Sequence, residues 1–145
     1  MAASNASWFF WALGSAAFAA LTAIFAKIGI ESIDSDLATL FRTVLIVLLL
    51  ALFVALTGKW RSPAEFGVKT LGFLALSAVA TGASWVCYFR ALKLGEASQV
   101  APVDKFSVVL VALFAVVFLA ERPSVREWFG IALVASGVVV LSLKL

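Results

Sequence analysis

The stretch QVAPVDKFSVVLVALFAVVFLAE, Gln99 to Glu121, is apolar enough to lie in hydrocarbon, yet it holds Pro102, Asp104 and Lys105 near its start. A charge at the centre of a membrane helix costs about 2.5–3.5 kcal/mol on insertion scales, and less near an end. An acid and a base kept there can do three things: pin one helix to another as an ion pair, meet a charged solute, or exchange a proton. Lys105 has a long stem that can snorkel to the interface, whereas Asp104 is short. Neighbours on a helix point about 100° apart, so the two need not pair with each other. A second set of residues combines aromatic faces with hydroxyls. Trp8, Trp11, Ser15, Phe18 and Thr22 recur at helical spacing, and so do Thr81, Ser84, Trp85 and Tyr88. Such stripes either pack helices and anchor them at the interface or line a polar cavity. Small residues at Ser77, Ala78, Thr81 and Gly82 would let another backbone approach closely.

The elements that must position these residues follow from composition. Of 145 residues, 64% are hydrophobic and 13% charged, whereas a soluble domain is about a quarter charged. Mean hydropathy is +1.13. The apolar residues come in long runs broken by short polar clusters, which predicts an all-α integral membrane protein. Five spans are expected, at approximately 7–28, 37–57, 68–94, 98–121 and 125–143. Gly29, Gly58 and Gly95 follow three of them, and Ser62-Pro63-Ala64-Glu65 and Ser124-Val125-Arg126-Glu127 read as capping boxes. The first run is read as a retained helix, since it has no positive n-region and is too long for a signal-peptide core. Helices 2 and 5 are apolar nearly all round and should face lipid or a partner helix. The connections are short, so residues 1–145 read as one transmembrane domain.

With no His and a single Cys87, a zinc site, a Ser–His or Cys–His pair and an internal disulfide are not expected. There is no Walker-type glycine loop, and the +3 balance contains no basic run suited to nucleic acid. The chain is therefore expected to be no enzyme and to need no metal or cofactor. Its expected partners are the lipid bilayer and a small-molecule substrate.

Topology brings more charges to the end where helix 4 starts. Lys27 ends helix 1, Arg42 begins helix 2 and Arg90 ends helix 3, so Lys27, Arg42, Arg90, Asp104 and Lys105 form an expected intramembrane charge network. In one reading Asp104 neutralises Arg90 or Arg42 and pins helix 4. In another the surplus cations face a cavity mouth and attract an anionic or zwitterionic solute. Proton exchange by Asp104 ranks last, because surrounding cations favour the ionised carboxylate. Pro102 would free a carbonyl or kink the helix entry, unless it falls in a first turn, where it is tolerated. The candidate substrate-binding or cavity-lining residues are Trp11, Ser15, Thr22, Thr81, Ser84, Trp85, Tyr88, Arg90, Asp104 and Lys105. Glu121 with Arg122 reads as an interfacial ion pair, and Glu31, Asp34 and Asp36 as loop solvation and capping of helix 2.

Charge also bears on orientation. Lys59, Arg61, Lys69, Arg122 and Arg126 lie on one side, and Lys27, Arg42, Arg90, Lys93, Lys105 and Lys144 on the other. Adding the N-terminal amine to the first group balances the two, so the positive-inside rule selects no orientation. A chain that inserts both ways would meet a second copy antiparallel.

The runs WVCYFRALKLGEASQVAP (Trp85 to Pro102), FLAER (Phe118 to Arg122) and WFGIALVASGVVVL (Trp128 to Leu141) resemble the EamA-type repeat of the drug/metabolite transporter superfamily. Ala120 departs from the pattern, which favours glycine before the Glu-Arg pair. The likeness is close over helices 3 to 5 and extends to helices 1 and 2 in spacing and character. Typical members carry two inverted repeats; a single one resembles the half-size, five-helix bacterial/archaeal branch. The resemblance implies an antiparallel, dual-topology homodimer in the inner membrane. It also implies alternating access, with helices 1, 3 and 4 lining the path. Function is then expected to be secondary transport, as an exporter, of a small polar metabolite. The alternatives are a non-transporting scaffold or accessory subunit, and a small channel.

Overall fold

The computed structural model describes residues 2–143, with side chains from residue 7 onward; Lys144 of the charge tally lies outside the described residues. The regular elements described are all helical: α1 (Ala2–Gly29), α2 (Ser35–Leu56), a 3-10 turn (Pro63–Glu65), α3 (Val68–Leu94), α4 (Ala97–Asp104), α5 (Ser107–Leu119) and α6 (Val125–Ser142). Five stretches are long and apolar enough to cross a membrane: Ser7–Gly29, Ser35–Leu56, Val68–Leu94, Ala97–Leu119 and Val125–Ser142. No more than 11% of any of them is buried inside the chain. A water-soluble bundle would have to enclose these faces, so hydrocarbon must cover them. The protein is an all-α, multi-pass membrane protein.

The chain forms two compact units, one of residues 25–94 and one of residues 1–24 with 95–145. In the first, α2 packs on α3, and Ile30, Phe89 and Leu92 are its large buried side chains. Asp34 opens α2, its carboxylate accepting from the N–H groups of Asp36 at 2.9 Å and Leu37 at 3.1 Å. Buried Thr39 donates its hydroxyl to the carbonyl of Ser35 at 2.8 Å, and Thr43 does the same to Thr39 at 2.7 Å. These back-bonds satisfy the hydroxyls inside an apolar helix.

In the second unit α6 packs on both α4 and α5. Ser124 and Glu127 close the capping box that starts α6. The fourth span is not the one continuous helix expected over 98–121: α4 stops at Asp104 and α5 begins at Ser107. Pro102 is the sixth residue of α4, past the first turn where proline is tolerated, so it removes an interior hydrogen bond. The backbone then tightens to three-residue bonds, Lys105 N–H to Pro102, Phe106 to Val103, Val108 to Lys105 and Val109 to Phe106, each 3.0 Å.

α5 ends at Ala120, which is left-handed at φ 54°, ψ 28°, while the Glu121 N–H reaches back to the Ala115 carbonyl at 3.2 Å. This is the six-to-one closure that glycine usually supplies. The departure at Ala120 therefore acts through backbone conformation. Ala120→Gly is expected to raise stability by about 1 kcal/mol by removing the left-handed penalty on a Cβ. Detergent-titrated unfolding of the purified protein measures it.

Candidate functional site

At the end of the first unit the lysines close open helix termini. Lys93, in the last turn of α3, donates its Nζ to the carbonyls of Ile30, Glu31 and Ile33, at 2.5, 2.9 and 3.1 Å. Lys27, in the last turn of α1, donates to the Leu92 carbonyl at 2.7 Å. Each lysine thus satisfies carbonyls that lack intrahelical partners where the other helix ends.

Arg90 forks onto Asp36 of α2, with Nε 2.9 Å from Oδ1 and Nη2 on Oδ2. The two parallel charge-assisted bonds fix both side chains in one geometry. Asp36, rather than Asp104, is therefore the carboxylate paired with Arg90. Asp104, in the other unit, bonds to its neighbour Lys105 at 3.2 Å, so the adjacent acid and base pair after all. Asp34 alone provides the cap of α2, which leaves Asp36 free for Arg90.

Arg42 differs from the other cations. Its guanidinium lies 4.5 Å from the ring centre of Trp85 and 5.3 Å from that of Phe89, an arrangement in which the ring quadrupoles attract the charge. Its Nη1 is buried and has no hydrogen-bond partner among the described residues.

Between α2 and α3 runs an open groove of about 620 Å³. Its polar lining comprises Asp36, Thr39, Thr43, Ser77 and Thr81, with Trp85 at one wall and aliphatic side chains such as Leu40, Ile46, Val47 and Leu74 elsewhere. Thr81 donates to the Ser77 carbonyl at 2.9 Å, which leaves its oxygen as an acceptor.

Of the residues named from sequence, Thr81 and Trp85 lie on this groove; Ser84, Tyr88 and Arg90 are outside its lining. Tyr88 packs edge-on against Phe89. Trp11, Ser15 and Thr22 belong to the other unit, where Trp11 and Ser15 are exposed and Thr22 half-buried. The contribution of α2 was missed, because helix 2 was expected to face lipid or a partner helix. The signal was present: Asp36, Thr39 and Thr43 recur at spacings of three and four in an otherwise apolar helix.

The family model of the EamA-like transporter family matches residues 6–143. A Sinorhizobium protein described as an "uncharacterized transporter in cobO 3'region" is 57% identical over 136 residues, 94% of this chain and 96% of its own length. Probable 4-amino-4-deoxy-L-arabinose-phosphoundecaprenol flippase subunits named ArnE are more distant. The one from Yersinia pestis is 31% identical over 84 residues, 57% of this chain and 74% of its own length. One from Yersinia pseudotuberculosis serotype O:3 is 33% identical over the same shares. No solved structure matches the chain. The chain belongs to the EamA-like transporter family.

Proposed function

We propose that the chain is a secondary transporter that exports a small polar metabolite across the bacterial inner membrane by alternating access, working as an antiparallel homodimer. The observation that carries this reading is the α2–α3 groove, which sets hydroxyl oxygens, a carboxylate and an indole face along two membrane-spanning helices. A polar solute leaving water needs replacement hydrogen-bond partners at that depth, and such a lining offers them. Membership of a transporter family supports the same reading. For the homodimer, support comes from the balanced basic side chains and from spans that bury little of themselves.

Orientation tests the dimer. Single cysteines placed in the Glu31–Ile33 turn, and separately in the Lys59–Arg61 loop, in a Cys87→Ala background, should each be about half labelled in intact cells by an impermeant thiol reagent. Complete labelling of one site with none at the other overturns the inverted pairing. Flux tests the carrier. Everted vesicles carrying the protein should accumulate at least one solute from a panel of radiolabelled amino acids, amines, sugars and organic acids, and Trp85→Ala should reduce that uptake several-fold. Absence of flux across the panel would favour the scaffold.

A further inference from the structure

Every other described cation at this end of the first unit is committed. Lys27 and Lys93 hold backbone carbonyls, and Arg90 occupies both oxygens of Asp36. Arg42 is the eighth residue of α2, about 10 Å along the helix from its start. It therefore stands within a membrane-spanning segment, where a guanidinium demands a countercharge. Two aromatic faces receive it. They attract the charge but leave the buried Nη1 without an acceptor among the described residues, and a ring face does not replace a hydrogen bond to a buried donor. Tyr88 also lies within electrostatic reach, and a neutral phenol supplies no countercharge. Asp36, one of the acids that begin α2, is spent on Arg90. Trp85, on which Arg42 stacks, is also a wall of the groove.

Arg42 itself is outside the groove lining and touches it through Trp85. A planar cation clamped on aromatic rings, with a buried donor left over, is built to receive an oxyanion in its plane. We propose that Arg42 is an oxyanion-binding site, taking a carboxylate or phosphate group while Trp85 and Phe89 hold the guanidinium in place. Its meaning for transport rests on the carrier function above: the solute would be an anion or zwitterion that presents its acidic end to Arg42. The same chemistry could also come from the phosphate of a lipid headgroup.

The test is equilibrium binding to the whole purified protein, read by thermal unfolding and tryptophan fluorescence. Phosphate stabilises many proteins simply by exclusion from their surface, so the readout is the difference between the native chain and Arg42→Gln. In a neutral detergent, inorganic phosphate at about ten times its dissociation constant should raise the native melting temperature about 5 °C more than that of the variant. It should also shift tryptophan emission in the native protein, and not in Arg42→Gln or Trp85→Phe. Without anion, Arg42→Gln should melt near the native temperature, since it removes an unpartnered buried donor together with the two ring contacts. Should Arg42→Gln fail to fold, Arg42→Lys provides the second arm: a point charge cannot fork, so the phosphate response should weaken several-fold. A response in neutral detergent identifies a free solute anion. A response seen only on moving from phosphatidylcholine to phosphatidylglycerol nanodiscs, and lost in Arg42→Gln, identifies a lipid headgroup. Responses equal in native and variant proteins, or absent in both media, overturn the site. Binding without flux would overturn the carrier and leave the site standing; flux insensitive to Arg42, with no oxyanion binding, would overturn the site alone.

Discussion

Leu92→Ala is expected to lower the stability of the protein by about 2 kcal/mol. Leu92 is completely enclosed, at 0% exposure, in a chain whose large apolar residues are otherwise mostly exposed. In water, a Leu-to-Ala change loses both transfer free energy and packing, together about 2–5 kcal/mol. In a bilayer the transfer part shrinks, because lipid tails are as apolar as leucine, and the loss of close packing dominates. That places the effect at the lower end of the range. The neighbouring control is Leu94, which is 90% exposed; Leu94→Ala should stay within about 0.5 kcal/mol of the native protein. Unfolding in mixed micelles on titration with dodecyl sulfate measures both. Equal losses at the two positions would mean that the last turn of α3 has no enclosed core.

The spans, their number and the family were legible because long apolar runs, capping boxes and glycine stops are local signals. Ser124 with Glu127 is such a case, since the residues that make the cap lie three apart. Long-range pairing was less legible. Arg90 had carboxylates available on two helices, and one reading of the sequence paired Asp104 with either Arg90 or Arg42. What decides the matter is that two acids at the start of α2 cannot both be its cap. Asp34 takes that role with two backbone N–H groups, and Asp36, two residues later in the first turn, is left to pair. The bend in the fourth span was half legible. Pro102 stands out in the sequence, but whether it lies in a first turn depends on where α4 begins, and its start at Ala97 places the proline in the interior. Arg42 was visible only as one cation among several. Its distinguishing feature, a donor left over once its neighbours are paired, exists only in three dimensions.

Charge exchange between Asp36 and Arg90 separates structural pairing from contact with solute. Asp36→Arg should bring two guanidinium groups together, and Arg90→Asp two carboxylates, at the point where a bidentate pair joins α2 to α3. Each single variant should therefore lose membrane accumulation several-fold, because an unpaired charge at a helix contact shifts the folded population toward degradation. The double variant should recover most of that loss. Recovery should be incomplete, since an arginine in the first turn of α2 opposes the helix dipole that Asp36 complements. A different double variant, Asp104→Arg with Arg90→Asp, should accumulate no better than its worse single. It sets one carboxylate against Asp36 and one guanidinium beside Lys105, so neither new charge finds a partner. Immunoblots of membrane fractions distinguish these outcomes, and rescue by the Asp104 exchange would reassign the partner of Arg90. Flux adds the functional half. Asp36 lines the α2–α3 groove while Arg90 does not, so the exchange moves a cation into the groove and takes its carboxylate away. If the groove carries solute, the exchanged protein should fold and still transport at a several-fold altered rate. Full recovery of both accumulation and flux would confine the pair to joining the helices, and the solute path would then have to be sought away from Asp36.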